Sequence, residues 1–380
     1  MTKTSTEKVT STAARDLFVP HEGIYLLSHS VGCMPRSTRS CVDKSFFAAW
    51  EQGDPDAWSG WMPVFDDFRQ ALARLFNASA ADFCPQVNIS SGLTKVIHAL
   101  PEREGKRVIV LSENDFPSTG FVIQQAQKKG YEIRWLAANA NLLSLDTWEQ
   151  ALTDDVQCVL ISHVHFNTST RTPVQSVVEL ARQRHIFSVV DIAQSSGVVP
   201  IDLTQWQADV VLGSCVKWLC GGPGAGFLWI NPSAIGQFEP VDAGWFSHQN
   251  PFEFDIKHFQ YADDASRFWG GTPSVVPFAI AANSINTIAD IGVEQIAEHN
   301  QRLTRKVIEA VDPSCLQTPE ADAHRGGTLV LKLAQQEAVE NRLTDVGVRF
   351  DARALGIRLS PHIYNTEAEI VQVIDCLTLK

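Results

Sequence analysis

Two residues of opposite charge lie where they could act together. Lys217 lies in the segment Gly-Ser-Cys-Val-Lys-Trp, just before a glycine-rich turn at 221–226, and Asp191 closes an apolar run about one strand and one helix earlier. A lysine amine can form a Schiff base with pyridoxal phosphate, and a carboxylate can keep the pyridine nitrogen of that cofactor protonated. Singly, Asp191 could be a structurally paired acid and Lys217 a solvated loop lysine. Together they predict a pyridoxal phosphate enzyme.

A phosphate-binding segment is predicted upstream of this pair. Ser-Ser-Gly-Leu-Thr at 90–94 precedes a run predicted to be helical at 95–100. Free N–H groups at a helix N-terminus favour a phosphate, although a simple N-cap would use the same residues. The turn at 221–226 is not a P-loop, because it lacks Gly-Lys-Ser/Thr and leads into a strand.

Short β-branched segments alternate with helix-like segments between residues 80 and 230. This alternation predicts a mostly parallel sheet covered by helices on both faces. Ligands bind at the carboxyl ends of the strands in such sheets, where Asp191, Ser162, His163 and Ser214 fall. The six predicted strands are 107–111, 131–135, 156–163, 186–191, 210–213 and 225–230.

The pattern changes after about residue 275. One long helical stretch is predicted at 276–311, followed by a strand at 327–333, a helix through Arg342, short strands near Arg349 and Ile357, and a last helix from Thr366. This mixture predicts a small α+β domain after the large one.

Composition narrows the classes of protein that fit the chain. With 380 residues, 44% of them hydrophobic and 19% charged, we expect a globular enzyme with a large core. A net charge of −12 without basic runs argues against nucleic acid as a partner. The polar start and the absence of an apolar run of ~18 residues argue against a membrane, so a cytoplasmic location is expected.

The cysteine and histidine patterns do not indicate a metal site. The eight cysteines include no Cys-x-x-Cys pair, and several lie in apolar segments, so we expect mostly core residues. His163 and His165 are separated by one residue but have no third ligand cluster beside them. No metal is therefore expected.

Several motifs together resemble one family over nearly the whole chain. They lie at 24–36 (Ile-Tyr-Leu-Leu-Ser-His-Ser-Val-Gly-Cys-Met-Pro-Arg), 116–118 (Phe-Pro-Ser), 221–224 (Gly-Gly-Pro-Gly), 244–248 (Gly-Trp-Phe-Ser-His) and 357–365 (Ile-Arg-Leu-Ser-Pro-His-Ile-Tyr-Asn). The chain resembles the class V aminotransferase superfamily of fold type I pyridoxal phosphate enzymes, and within it the kynureninase branch.

The resemblance implies a fold and a domain organisation. The fold class is α/β, a fold type I PLP-dependent transferase with a three-layer αβα large domain, a mostly parallel sheet and a small α+β C-terminal domain. An N-terminal segment (1–30) would pack on the small domain (276–380), and residues 31–275 would form the large domain that binds the cofactor.

The resemblance also assigns roles to the residues that match its motifs. Lys217 would be the Schiff-base lysine and Asp191 the partner of the pyridinium nitrogen, with Phe116 stacked on the ring and Gln194 bonded to its hydroxyl. The phosphate would be held by the Leu93 backbone N–H, Thr94, Ser214, Trp245 and, from a partner subunit, Thr272. That last role implies a homodimer with shared active sites.

An amino-acid substrate would be bound chiefly by one arginine. Arg358 matches the residue that binds the α-carboxylate, a role suited to a bidentate guanidinium. Arg325 and His29 are weaker substrate-binding candidates. A solvated surface arginine and a packed histidine are the respective alternatives.

Three positions depart from the kynureninase pattern. Val216 replaces a tyrosine, Gln194 a histidine and Thr119 an acid. A cysteine desulfurase is a poorer match, because no cysteine lies between residues 316 and 375, where those enzymes carry their nucleophile.

We therefore expect an enzyme that acts on a small α-amino acid bound to pyridoxal phosphate. Hydrolytic side-chain cleavage ranks first. Transamination, racemisation and β-elimination by a C–S lyase remain alternatives, and a catalytically silent binding protein of the same fold is the non-enzymatic one.

Overall fold

A mostly parallel sheet is the centre of the larger of two packed regions. The computed structural model describes residues 11–52 and 56–378, and within them seven strands form this sheet. Gly226–Ile230 runs antiparallel to both of its neighbours, and the other six strands share one direction. The predicted parallel sheet is thus confirmed. In spatial order the strands are Phe83–Gln86, Gly226–Ile230, Val210–Ser214, Phe187–Asp191, Val156–Ser162, Val108–Ser112 and Glu132–Leu136.

The central strands are apolar along their whole length because both faces of the sheet are covered. Every residue of Val156–Ser162, Phe187–Asp191 and Gly226–Ile230 is buried. Successive strand residues point to opposite faces, so burial of all of them requires a layer on each side. Helices such as Val174–Gln183 and Ile89–Ala99 contribute buried apolar side chains, which completes the three-layer αβα arrangement.

The helices of the larger region connect and cover these strands. The longest helix, Ala57–Phe76, is capped at its start by Asp56, whose carboxylate accepts the Ser59 N–H at 3.0 Å. At its end, Asn77 adopts the left-handed conformation. The helices are Ser11–Arg15, Thr38–Val42, Ala48–Gln52, Ala57–Phe76, Ile89–Ala99, Pro117–Ala126, Leu145–Ala151, Val174–Gln183, Leu203–Trp206 and Val276–Ile291, with a π-helix at Asp43–Phe47.

The edge strand Phe83–Gln86 was absent from the six strands that the sequence predicts. It contains Pro85 and no β-branched residue, so it lacks the pattern that identifies the other strands. A proline is tolerated there because one side of an edge strand needs no ladder hydrogen bond.

The smaller region has its own antiparallel sheet and apolar core. Gly356–Leu359 is the central strand, with Asp351–Arg353 on one side and Leu329–Leu331 on the other. The helices Val293–Ala310, Gln336–Asp345 and Glu367–Leu377 contribute to a second cluster of buried residues.

The N-terminal segment contacts both regions. Residues 1–10 of the predicted segment 1–30 lie outside the described residues. Ile24–Tyr25 pairs in parallel with Val348–Arg349 of the smaller region, whereas Ala14 and Phe18 belong to the larger core. The domain limits remain predictions, and residues 379–380 of the predicted small domain also lie outside the described ranges.

The predicted helix at 276–311 is in fact two helices. Val276–Ile291 and Val293–Ala310 meet at a bend of 75°, where Gly292 has a φ of 93°. Phe278 and Ile285 of the first helix are buried in the larger core, and so is Ile296 near the start of the second helix. Within residues 11–52 and 56–378, no single helix could cross a membrane, and only this bent pair has the length and composition for it.

Gly213 permits close packing in the strand that leads to Lys217. A Cβ at position 213 would lie 2.0 Å from Cζ of the fully buried Phe227 ring. We expect Gly213→Ala to lower the free energy of unfolding by about 1–3 kcal/mol in urea unfolding, because the ring and both strands must move. Gly236→Ala is the control, since a Cβ there meets no atom within 4 Å. Equal losses in the two variants would contradict the expectation.

Candidate active site

Lys217 lies in a tight turn after the strand Val210–Ser214. Gly221 N donates to Cys215 O at 2.7 Å, which closes the turn. Gly32 of the N-terminal segment packs against it so closely that a Cβ at position 32 would lie 2.3 Å from Lys217 O. The lysine backbone is therefore fixed from two sides.

The environment of Lys217 makes its amine easier to deprotonate than that of an exposed lysine. Burial lowers the pKa of the lysine, the charge of Asp191 opposes this effect, and the charge of Arg358 adds to it. The Nζ atom lies 5.5 Å from the centroid of the Phe116 ring. A buried amine with a lowered pKa is suited to nucleophilic attack on an aldehyde.

Asp191 ends the neighbouring strand Phe187–Asp191. Its Oδ1 accepts the Ala193 N–H at 2.8 Å, and no donor among the described residues is bonded to Oδ2. Burial raises the pKa of this carboxyl group, while the Ala193 N–H and the charge of Lys217 act to lower it. One carboxyl oxygen is thus free to pair with a cationic donor.

One cavity of about 240 Å³ contains both groups. Its aromatic wall is formed by Phe116 and Phe166, whose rings meet edge to face with centroids 5.2 Å apart. Five of the predicted site residues line it, namely Phe116, Asp191, Gln194, Ser214 and Lys217. The other lining residues are Asn88, Ile89, Ser90, Ser118, Thr119, Ser162, Val164, Phe166 and Ala193.

Gln194 is held in the cavity wall by two hydrogen bonds. Its Nε2 donates to His29 O at 3.1 Å, and its Oε1 accepts from Trp218 Nε1 at 3.2 Å. An indole nitrogen can only donate, so the Gln194 oxygen must face Trp218 and the amide nitrogen must face His29.

The helix predicted from residue 95 begins earlier, at Ile89. The Asn88 side chain caps it by accepting the Ser91 N–H at 2.9 Å. Asn88, Ile89 and Ser90 line the cavity at this helix N-terminus, where backbone N–H groups favour an anion. The early start moves the predicted phosphate ligands Leu93 and Thr94 into the body of the helix.

Leu93 and Thr94 accordingly do not line the cavity. The Leu93 side chain is fully buried, and the Thr94 hydroxyl donates to Ser90 O at 2.8 Å. The roles of the Leu93 backbone N–H and of Thr94 toward the phosphate remain predictions, and Asn88, Ile89 and Ser90 are the residues of this segment that line the cavity.

Trp245 and Thr272 also lie outside the Lys217 cavity of their own chain. Trp245 lines a separate cavity of about 420 Å³, where its ring contacts those of Phe246 and Phe254. Thr272 is exposed. Their roles toward the cofactor remain predictions, and that of Thr272 requires a second subunit.

Arg358 and His29 meet at a shared carboxylate. Arg358 donates from Nε and Nη2 to Asp351 at 2.7 and 2.5 Å, and from Nη1 to Phe166 O at 3.1 Å. His29 Nε2 lies 3.1 Å from the same carboxylate, and Nδ1 lies 2.6 Å from Ser360 Oγ. Neither side chain lines the cavity, but Arg358 contacts its Phe166 wall.

The Arg325 side chain is buried and is held by contacts with other protein groups. Its guanidinium is buried, forms an ion pair with Asp322, and donates to Glu320 O at 2.5 Å and to Thr304 Oγ1 at 3.1 Å. The structure thus brings Arg325 neither to the cavity nor to the solvated surface that was its alternative.

A buried acid behind the cavity, Asp115, was not among the predicted site residues, and it lies beside His165. Asp115 Oδ1 lies 3.6 Å from His165 Nδ1. Burial raises the pKa of Asp115 to about 6 against hydrogen bonds from Ser162 and Ser112, and burial lowers the pKa of His165 to about 4. The position of Asp115 directly before the Phe-Pro-Ser motif was the available signal.

His163 and His165 are bonded to different partners. His163 Nδ1 lies 2.9 Å from Ser195 Oγ, and its Nε2 accepts from Arg171 Nε at 3.3 Å. The described residues contain no group of three His, Cys, Asp or Glu side chains suited to a metal ion.

Comparison with known proteins points to one family. The model of the family described as Aminotransferase class-V matches residues 60–373. A kynureninase of Deinococcus radiodurans is 28% identical over 88% of this chain and 84% of its own length. A kynureninase of Pseudomonas fluorescens is 26% identical over 96% of this chain and 90% of its own.

Solved structures share the fold. A cysteine desulfurase of Thermococcus onnurineus superimposes with a TM-score of 0.81 at 20% identity, covering 93% of each chain. C-DES, with glycine covalently linked to its PLP cofactor, gives a TM-score of 0.83 at 18% identity, covering 94% of this chain and 96% of that one.

The rate at which pyridoxal phosphate attaches to Lys217 should depend on the fraction of this lysine that is unprotonated. We expect its rate to rise with pH and to level off at a lower pH in Asp191→Asn, because that variant loses the charge that raises the lysine pKa. Cofactor absorbance after mixing cofactor-free protein with pyridoxal phosphate measures this. Lys217→Ala, the control, should show no covalent attachment. Identical pH profiles for wild type and Asp191→Asn would contradict the expectation.

Proposed function

Because the chain belongs to the class-V aminotransferase family and is a pyridoxal phosphate enzyme, we propose that it cleaves the side chain of an α-amino acid hydrolytically, as a kynureninase does. The kynureninase relatives, which match along more than four-fifths of both chains, are the observation on which this proposal rests. The predicted cytoplasmic location remains a prediction.

The cavity residues fit the cofactor. Lys217 presents a buried amine, Asp191 a carboxyl oxygen without a protein donor, Phe116 an exposed ring and the segment at Asn88 a helix N-terminus for a phosphate. Bound there, pyridoxal phosphate supplies an electron sink for charge that develops at the substrate Cα. This match in chemistry between four separate elements supports pyridoxal phosphate as the group that this cavity binds.

Each residue has a role in the proposed reaction. Lys217 holds the cofactor and then moves the proton at Cα, for which its lowered pKa is suited. Asp191 holds the proton on the ring nitrogen, Phe116 orients the ring, and Arg358 binds the α-carboxylate.

Sulfur transfer is not supported by the positions of the cysteines. All eight lie in the described ranges, and none lines the Lys217 cavity. Burial raises the pKa of Cys33 and of Cys84 to about 12, which disfavours their thiolates.

A single-turnover reaction with L-kynurenine tests the proposal. We expect one equivalent each of anthranilate and alanine per active site of the cofactor-loaded enzyme, and none from Lys217→Ala. Absence of anthranilate would refute the proposed cleavage. Pyridoxamine phosphate in its place would assign transamination, consistent with the departures at Val216, Gln194 and Thr119.

We also infer that the enzyme is a homodimer. A loop beside the Trp245 cavity exposes a group of large apolar side chains, with Ile256 97%, Phe254 70%, Phe252 56% and Phe259 50% accessible. Monomers rarely expose contiguous apolar surface of this kind, and a second copy of the chain would cover it.

The dimer inference is tested with one surface substitution. We expect Ile256→Asp to shift the molar mass measured by light scattering from dimer toward monomer, because the charge would be buried at the interface. Val371→Asp on the helix Glu367–Leu377, where the side chain is 51% exposed, is the control. A monomeric wild type, or equal effects of both variants, would contradict it.

A further inference from the structure

Asp351 and Arg358 are paired by the register of a hairpin. They lie opposite each other on the antiparallel strands Asp351–Arg353 and Gly356–Leu359. Both carboxylate oxygens of Asp351 accept from the arginine, at 2.7 Å from Nε and 2.5 Å from Nη2. The backbone pairing therefore places the two side chains before any ligand is bound.

The pair leaves part of the guanidinium free. An arginine has five N–H groups. Two donate to Asp351, and one on Nη1 donates to Phe166 O at 3.1 Å. One N–H on each of Nη1 and Nη2 remains, which is the number that bidentate binding of one carboxylate requires.

Asp351 is itself held in place. His29 Nε2 lies 3.1 Å from Oδ1, and Arg353 Nε lies 3.4 Å from Oδ2 on the exposed side. Burial alone would raise the pKa of Asp351, but the hydrogen bonds from His29 and Arg358 outweigh it and hold the pKa well below its ordinary value. Asp351 is thus an anion at neutral pH.

This network reaches the Lys217 cavity at two points. Arg358 is bonded to the backbone of Phe166, whose ring lines the cavity. The His29 carbonyl accepts from Gln194 Nε2 at 3.1 Å, and Gln194 also lines the cavity. A displacement of Arg358 would therefore disturb the Phe166 wall of the cavity in which the substrate is proposed to bind.

We propose that Asp351 is a positioning residue, which holds one edge of Arg358 so that its two remaining N–H groups bind the α-carboxylate of the substrate. The proposal rests on the proposed role of Arg358, but not on which reaction follows binding. A fixed guanidinium binds a carboxylate without first losing its rotamer freedom.

Two ligands that differ by the carboxylate alone test the proposal. L-Alanine and ethylamine are titrated into the cofactor-loaded enzyme, and binding is followed by cofactor absorbance and by the shift in melting temperature. We expect Asp351→Asn to weaken L-alanine binding by about tenfold, while ethylamine binding changes by less than about twofold. Asp345→Asn, which alters an exposed acid at the end of Gln336–Asp345, should leave both unchanged.

A double-mutant cycle shows whether Asp351 acts through Arg358. In the Arg358→Gln background, adding Asp351→Asn should weaken L-alanine binding by less than about twofold further. Asp351→Glu keeps the charge and should lie between wild type and Asp351→Asn, which tests the proposal should Asp351→Asn fail to fold.

Three results would overturn the proposal. Tighter L-alanine binding in Asp351→Asn would mean that Asp351 competes with the substrate carboxylate for Arg358 instead of positioning the arginine. Equal weakening for ethylamine would indicate a general structural defect, and a full tenfold effect without Arg358 would exclude action through the arginine. Failure of the L-kynurenine reaction alone would leave this proposal standing, because the titrations require no cleavage.

Discussion

The burial of an amine and a carboxyl group at one edge of a sheet is the constraint on which the structure depends. Removal of Lys217 and Asp191 from water disfavours the charged form of each residue. The opposite charge of the other residue offsets part of this desolvation penalty when the two lie close together. Adjacent strands meet this requirement, because the ends of Phe187–Asp191 and Val210–Ser214 are joined by backbone hydrogen bonds. The tight turn after the second strand then places Lys217 in the cavity that Asp191 also lines.

Much of this arrangement can be predicted from sequence because it depends on local patterns and on topology. Six β-branched runs identify six strands, and parallel strands necessarily bring their carboxyl ends to one edge. Asp191, Ser214 and Lys217 follow from that rule. The start of the helix at Ile89 does not, because Ser and Gly favour turns, and only the Asn88 cap reveals that the helix includes them.

Contacts between distant segments were less accessible to sequence reasoning. The conformation of Gly292 separates two helices whose residues would form a continuous helical pattern. Pairing of Asp351 with Arg358 depends on the register of a short hairpin, which a seven-residue separation alone does not specify. For Trp245 and Thr272, a motif indicates a role but not which cavity the folded chain brings them to.

His29 spans the boundary between the two regions. Its carbonyl is bonded to Gln194 of the larger region, while its ring contacts Asp351 and Ser360 of the smaller one. The backbone and ring of a single residue therefore couple the two regions mechanically. Gln194 in the cavity wall and the Asp351–Arg358 pair are thus linked to each other through one residue, so a substitution of His29 alters the support of both.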